Sequence, residues 1–140
     1  MSLGSIFNIA GSALTAETAR LTTSASNMSN ANVESGNTDD VYRVKYPIFK
    51  TVHENATQWM GEQSNAGVQL KGTYTSTADP IKRYQPNNPQ ADANGFIYTP
   101  NVNYVDEMAN VISASRSYQM NIELVNNAKQ LIQRTLQLGE

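Results

Sequence analysis

Proline positions divide this 140-residue chain into three segments. Proline breaks a helix interior because it removes a backbone donor and clashes with the preceding turn. The proline-free ends, 1–33 and 101–140, are therefore predicted to form long helices, whereas the middle, 34–100, is predicted to form strands and loops. All five prolines lie in that middle segment, namely Pro47, Pro80, Pro86, Pro89 and Pro100.

The N-terminal segment combines helical spacing of apolar residues with very few charges. Four apolar residues recur at steps of seven, which places them on one face of a coiled-coil-like helix. They are Phe7, Leu14, Leu21 and Met28. Thirteen of the 28 residues in 5–32 are Ser, Thr or Asn, which are mediocre helix formers, so packing must stabilise this helix. The scarcity of charge favours a helix enclosed on several sides, and an ordinary amphipathic core helix is the alternative.

The C-terminal segment repeats the same spacing more regularly. Tyr104 opens a row of residues at steps of seven, and Asn103 with Asp106 three residues later resembles a capping box. A helix from there to Leu138 would be about 54 Å long at 1.5 Å per residue, which is more than a compact chain of this size needs. The row continues through Val111, Tyr118, Val125 and Ile132.

These patterns predict a mainly α fold with a β/loop insertion, in which the long N- and C-terminal helices pair as a coiled coil. A small irregular β segment is expected between the helices. Alternating apolar and polar residues predict strands at Tyr42–Tyr46, Val68–Leu70 and Phe96–Tyr98. Residues 79–95 contain three prolines and several Asn and Asp residues, which predicts a loop.

Composition excludes several classes of function. Ten basic and 12 acidic residues leave no positive surplus for a nucleic-acid backbone. A hydrophobic content of 39% is slightly low, which is typical of a chain that completes its burial against partners. No stretch approaches the roughly 20 apolar residues of a membrane span, and the first residues lack the features of a cleaved secretory signal.

The sequence offers no set of catalytic or metal-binding residues. There is no cysteine, and His53 is the one histidine. We predict a surface position for His53, although sequence alone leaves open a small hydrolase that uses it. The adjacent acidic pairs Asp39–Asp40 and Asp106–Glu107 are expected to be a solvated loop and a helix start. The prediction is a non-enzymatic protein without cofactor or metal.

Several motifs make the chain resemble a known family. The C-terminal runs and the loop before them closely resemble the rod proteins of the bacterial flagellar basal body, in particular those of the proximal rod. The N-terminal runs are similar to a motif shared by flagellar rod and hook proteins. The C-terminal runs are 100–108, 114–119 and 129–139, the loop is 91–97, and the N-terminal runs are 7–14 and 25–32.

The resemblance implies a structural subunit that polymerises into a helical tube, transmits torque and forms part of the export channel. It implies an inner axial domain made of 1–33 and 101–140, with 34–100 outside. The implied partners are copies of the chain, other rod proteins, the MS-ring and rod-base adaptor proteins, and the type III export apparatus. The implied location is the rod where it crosses the periplasm.

The residues expected to make the assembly contacts are the apolar rows of both helices and polar residues of the motifs. Amide and guanidinium groups among them are expected to satisfy one another across subunits. The set is Phe7, Leu14, Leu21, Asn27, Met28, Asn30, Asn32, Val111, Arg116, Tyr118, Gln119, Val125 and Ile132. The alternative function is a secreted helical-hairpin binding module or adaptor of a type III export system.

Overall fold

The computed structural model describes residues 3–53 and 66–138. A helix occupies each end of the chain, and four strands lie between the helices. In chain order the elements are α1 (Leu3–Asn30), β1 (Lys45–His53), β2 (Ala66–Thr75), β3 (Ile81–Tyr84), β4 (Phe96–Thr99) and α2 (Tyr104–Leu138).

The chain divides into two compact units, each of which takes parts of both helices. Unit 1 comprises Met1–Ala19, Ile48–Gly72 and Ser113–Glu140, and unit 2 comprises Arg20–Pro47 and Thr73–Ile112. The division into 1–33, 34–100 and 101–140 follows chain order and stays a prediction.

The predicted fold class is wrong. Helix makes up about 50% and strand about 22% of the described residues, so two small antiparallel sheets are a larger part of the fold than an irregular insertion would be. The helices do not form a clear coiled coil. Knobs-into-holes packing needs large apolar side chains at the buried positions. Where burial is described along the two helices, the buried positions hold only small or polar residues, namely Ser5, Ala10, Ser24, Asn27, Glu107, Ala114 and Ala128.

Helix α2 begins where its cap predicts. The Oδ1 atom of Asn103 accepts hydrogen bonds from the backbone N–H groups of Val105 at 3.1 Å and Asp106 at 3.4 Å. The Nδ2 atom of Asn103 donates to the Asp106 carboxylate at 2.6 Å. This cap satisfies two backbone donors of the first turn. The helix therefore starts at Tyr104, and Pro100 lies outside it.

Strands β1 and β2 form a two-stranded antiparallel sheet, which we call the ribbon. The sequence predicted shorter strands, and its first strand, Tyr42–Tyr46, shares only Lys45 and Tyr46 with β1. Pro47 lies inside β1, where the sheet has only two strands and each therefore keeps one unpaired edge that tolerates the missing N–H group. The backbone N–H of Ser76 donates a hydrogen bond to the carbonyl of Val44 at 2.8 Å. The rings of Tyr46 and Tyr74 stack with their centroids 6.4 Å apart.

Strands β3 and β4 form a second antiparallel sheet in unit 2. Ile81 lies opposite Thr99 and Tyr84 lies opposite Phe96. Side chains of β4 alternate in burial because one face of the strand meets the core of the unit and the other does not. Ile97 is fully buried on that inner face. Ser35 extends the sheet by bridging the backbone of Tyr98.

The turn that enters β4 is built around the carboxylate of Asp92. Its Oδ1 atom accepts hydrogen bonds from the backbone N–H groups of Asn94 and Phe96, both at 2.8 Å. Gly95 has a φ of 78°, and a Cβ atom there would lie 3.1 Å from Pro86 and from the Tyr84 ring. Glycine suits this position because it adopts the left-handed region without steric cost.

The β3–β4 hairpin is expected to lose stability in acid. The hydrogen bond from the Phe96 N–H is the main cause that lowers the pKa of Asp92 below 3.8. A carboxyl whose pKa is lower in the folded state stabilises the fold above its unfolded pKa, and this contribution disappears as the pH falls through the folded pKa. Amide exchange at Asn94 and Phe96, followed from pH 6 to pH below about 3.8, should therefore accelerate beyond its intrinsic pH dependence. An Asp92→Ala variant should lack this additional acceleration, and an identical profile in both proteins would contradict the assignment.

Candidate assembly surface

Four of the five members of the predicted row on α2 lie on one half-buried face of that helix, whereas Tyr104, which opens the row, is 46% exposed. Val111, Tyr118, Val125 and Ile132 are all half-buried. They alternate with the buried positions 107, 114 and 128 at steps of three and four, which is the spacing of one helix face. The assembly role predicted for these residues stays a prediction. The small residues between the row members prevent the large ones from being fully covered within the chain.

The predicted row on α1 is also half-buried. Phe7, Leu14, Leu21 and Met28 are half-buried, and the fully buried residues of α1 are small or polar. Thr15 and Thr18 donate their hydroxyl groups to backbone carbonyls one turn earlier, at 3.1 and 2.8 Å. Such bonds satisfy hydroxyl groups on a helix that carries few charges. Large apolar side chains on α1 thus keep part of their surface accessible.

Asn27 is the most completely bonded polar side chain of unit 2. It is 1% exposed, and its Nδ2 atom donates to the Lys45 carbonyl at 2.9 Å and to Glu107 Oε1 at 3.0 Å. Its Oδ1 atom accepts from the Tyr42 hydroxyl at 2.8 Å and from the Lys45 N–H at 3.0 Å. One amide thus connects the last turn of α1, the start of β1 and the first turn of α2.

These bonds give Asn27 a role inside the chain. A primary amide has two N–H donors and two acceptor lone pairs, and all four make hydrogen bonds here. Asn30 likewise donates to the carbonyl of Ser26 at 2.8 Å. Asn32 is exposed, and so are Arg116 and Gln119 on α2. The last three side chains therefore face solvent in the single chain, and their predicted role between subunits remains a prediction.

Glu107 shows why Asn27 matters for packing. The Glu107 side chain is only 4% exposed although it stands in the first turn of α2. A carboxyl group removed from water is costly unless polar partners replace its hydration. Asn27 supplies one such partner, and the helix start near Glu107 favours negative charge. The acidic pair Asp106–Glu107 thus combines a cap residue with a buried hydrogen-bonded residue.

Two rows of exposed apolar residues on α2 belong to the candidate surface and were not predicted as assembly residues. Val105, Met108 and Ile112 follow helical spacing in unit 2, and Val105 is 72% exposed. Met120, Leu124 and Leu131 form a second row in unit 1, with Leu131 58% exposed. Rows of exposed apolar side chains are typical of surfaces that a partner covers. These residues are three, four or seven positions apart, and this spacing is the sequence signal that could have identified them.

The described residues contain no candidate metal site. Within residues 3–53 and 66–138, no three His, Asp or Glu side chains come together as metal ligands. His53 was predicted to lie on the surface, and its side chain lies outside the part of the chain that the structure describes. Neither described helix has an apolar stretch long enough to span a bilayer.

Comparison with known proteins identifies the family of this chain. Residues 93–138 match the family described as flagellar basal body rod FlgEFG protein C-terminal. Over its full length the chain is 44% identical to flagellar basal-body rod protein FlgC of Yersinia enterocolitica and 43% identical to FlgC of Salmonella typhimurium, with 100% of each relative covered. FlgC of Buchnera aphidicola from Acyrthosiphon pisum is 37% identical, again with 100% of both chains covered. The resemblance inferred from the motifs is confirmed, and the chain belongs to the family of the flagellar basal-body rod protein FlgC.

Proposed function

We propose that this protein is a structural, non-enzymatic subunit of the rod of the bacterial flagellar basal body, in the proximal section that crosses the periplasm. The observation that carries the proposal is identity of 43–44% to proteins named flagellar basal-body rod protein FlgC across the whole of both chains. Full-length agreement disfavours the adaptor alternative, since an adaptor would share only a helical part with a rod protein.

The surface of the chain supports a role in assembly. Exposed apolar rows on α2 and half-buried rows on both helices leave hydrophobic area that only a partner can cover. The rows consist of different residues, so a contact between copies can join two unlike patches. Such heterologous contacts propagate into a helical filament when the rotation between subunits does not close a ring. A filament of this kind forms a tube that transmits torque and encloses an export channel.

The proposed neighbours are copies of this chain and other rod proteins. At the rod base they include the MS-ring and adaptor proteins, and the type III export apparatus delivers the subunit. The proposed contact residues remain the 13 predicted from the sequence, with two refinements. Asn27 acts through the fold of its own subunit, and the exposed rows that begin at Val105 and Met120 join the contact set.

Deletion of the gene tests this function. We expect a non-motile strain whose basal bodies lack a completed rod, and we expect the wild-type gene to restore both rod and motility. The control is a variant with an exposed lysine of α2 changed, Lys129→Gln, which should restore motility equally. Normal rods in the deletion strain would refute the proposal.

A further inference from the structure

Strand β3 has one edge that pairs with β4 and a second edge that faces away from it. The backbone N–H of Gln85 donates to the carbonyl of Gly95 at 2.8 Å, which makes these two residues a hydrogen-bonded pair of the hairpin. Such pairs occur at every second position of antiparallel strands. Arg83 therefore also bonds to β4, whereas Lys82 and Tyr84 direct their backbone N–H and C=O groups away from it.

The far side of the hairpin agrees with this register. Tyr98, which lies opposite Lys82, bonds through its N–H and C=O groups to the backbone of Ser35 at 2.8 and 3.0 Å. Its groups thus point away from β3, as the alternation requires. In the described part of the chain, no hydrogen bond engages the outward backbone groups of Lys82 or Tyr84. We call these four backbone groups of β3 the free edge.

The side chains of β3 leave the free edge open. Lysine on an edge strand commonly hinders pairing with a second chain. Here the Lys82 ammonium group lies 3.8 Å from the centre of the Phe96 ring, so this side chain turns back over β4. The Tyr84 ring also meets the Phe96 ring, edge-on with the centroids 5.2 Å apart. Both side chains therefore lie over the hairpin, and the backbone of the free edge is accessible to a partner.

Arg83 gives the free edge a preference for negative charge. Its side chain lies on the opposite face of the sheet from that of Lys82, because side chains alternate along a strand. There it borders a cleft with a volume of about 140 Å³. Glu34, the other charged residue of this cleft, accepts a hydrogen bond from Asn88 at 2.8 Å. Within the described residues, the Arg83 guanidinium has neither an ion pair nor a hydrogen bond.

A second copy of this chain is a poor partner for the free edge. Its four described strands carry no acidic residue. Antiparallel pairing of two β3 strands about their centre would place the Arg83 side chains of the two copies close together. Like charges directly opposite each other destabilise a pair of strands. A strand that fits the free edge therefore belongs to a different protein and is acidic.

We propose that an antiparallel strand of another rod protein adds to the free edge and places an acidic side chain opposite Arg83. Such strand addition supplies main-chain hydrogen bonds, and the side chains of the added strand determine specificity. Lys82 and Tyr84 form hydrogen-bonded pairs with the new strand. The residue opposite Arg83 is then in a non-hydrogen-bonded pair, where side chains approach most closely. This inference deepens the proposed function and rests on it.

Hydrogen exchange in purified basal bodies tests the main-chain bonds. The amides of Lys82 and Tyr84 should exchange at least about 10-fold more slowly in the rod than in the isolated chain, because the added strand accepts their hydrogen bonds. The Arg83 amide is the internal reference, since its bond to β4 protects it in both states. Equal exchange of the Lys82 and Tyr84 amides in the rod and in the isolated chain would overturn the proposal.

Two pairs of variants separate the free edge from the side chains around it. Lys82→Pro removes an outward N–H group that β4 does not use, and edge strands tolerate proline. It should abolish rod incorporation in the deletion strain, whereas Lys82→Ala, which keeps the N–H group, should swim like the wild type. Arg83→Glu should also abolish incorporation, and Arg83→Lys should retain it. Circular dichroism of the purified variants checks that they fold, and normal swimming of Arg83→Glu would contradict the proposal.

Photo-cross-linking identifies the partner. A p-benzoylphenylalanine in place of Ile81, on the same face as Arg83, should yield a cross-link in purified basal bodies to an acidic segment of another rod protein, located by mass spectrometry. A cross-link to a second copy of this chain, or none, would overturn the proposal even if the chain is present in basal bodies. Absence of the wild-type chain from basal bodies would instead overturn the proposed function.

Discussion

Replacing Asn27 with alanine is expected to destabilise the protein by about 3–5 kcal/mol. The change removes four hydrogen bonds at a side chain that is 1% exposed. It leaves the buried Glu107 carboxyl group and the Lys45 backbone without the partner that replaces their hydration. Urea denaturation followed by circular dichroism measures the loss, as the change in free energy of unfolding.

Two neighbouring asparagines serve as controls for that prediction. Asn32→Ala changes an exposed side chain and should shift the free energy of unfolding by less than about 0.5 kcal/mol. Asn30→Ala removes one bond, to the carbonyl of Ser26, and should have an intermediate effect. If Asn27→Ala were as stable as Asn32→Ala, the amide would not connect the helices and β1 in the way described.

Val125→Asp is expected to abolish rod incorporation and motility. Val125 is a half-buried member of the row on α2, where an ionised carboxylate must be desolvated when a partner covers the remaining surface. The free-energy cost of burying an unpaired charge greatly exceeds the stabilisation that one valine side chain gives to the contact. Assembly should therefore fail completely. Swimming in soft agar and immunodetection of the variant in purified basal bodies measure the outcome.

The adjacent residue provides a matched control for this substitution. Asn126 is exposed, and Asn126→Asp adds the same charge to the same helix turn without entering the row. This variant should assemble and swim like the wild type. Folding of unit 2 in both variants is checked by the exchange of the Phe96 amide. Incorporation of Val125→Asp at wild-type levels would show that the row on α2 makes no contact in the rod.

The two terminal helices could be predicted because their signals are local. Proline is confined to 47–100, and the Asn103 cap acts within three residues of itself. The coiled coil was predicted wrongly because heptad spacing identifies a face of a helix and gives no information on what packs there. The small residues Ala114 and Ala128 occupy the buried positions of that face, which is incompatible with interlocking large side chains.

The strands were harder to predict than the helices. Alternation is a weak signal in a sheet of two strands, because both faces are largely exposed and neither has to be apolar. In β2, Val68, Leu70 and Tyr74 alternate with polar residues, yet these apolar residues are themselves exposed. Only the backbone pairing between β1 and β2 reveals that the strands continue beyond the short apolar runs.

The role of Asn27 depended on contacts that a single sequence does not show. Asn27 and Glu107 are 80 residues apart in the chain, and the first lies in a run of Ser and Asn that is ordinary for exposed polar segments. The sequence placed Asn27 among the residues that contact other subunits, and that assignment stays a prediction. The four hydrogen bonds of its amide lie within one chain, which no pattern in the sequence indicated.

The central claim, that this chain is a structural subunit of the flagellar rod, is tested most directly by its presence in isolated rods. Basal bodies would be purified from a deletion strain that expresses an epitope-tagged copy, and the rod would be labelled with gold-conjugated antibody after removal of the surrounding rings. Labelling of the rod at its base, with rods absent when the gene is absent, is the expected result. Complete rods that contain none of the tagged chain would contradict the account.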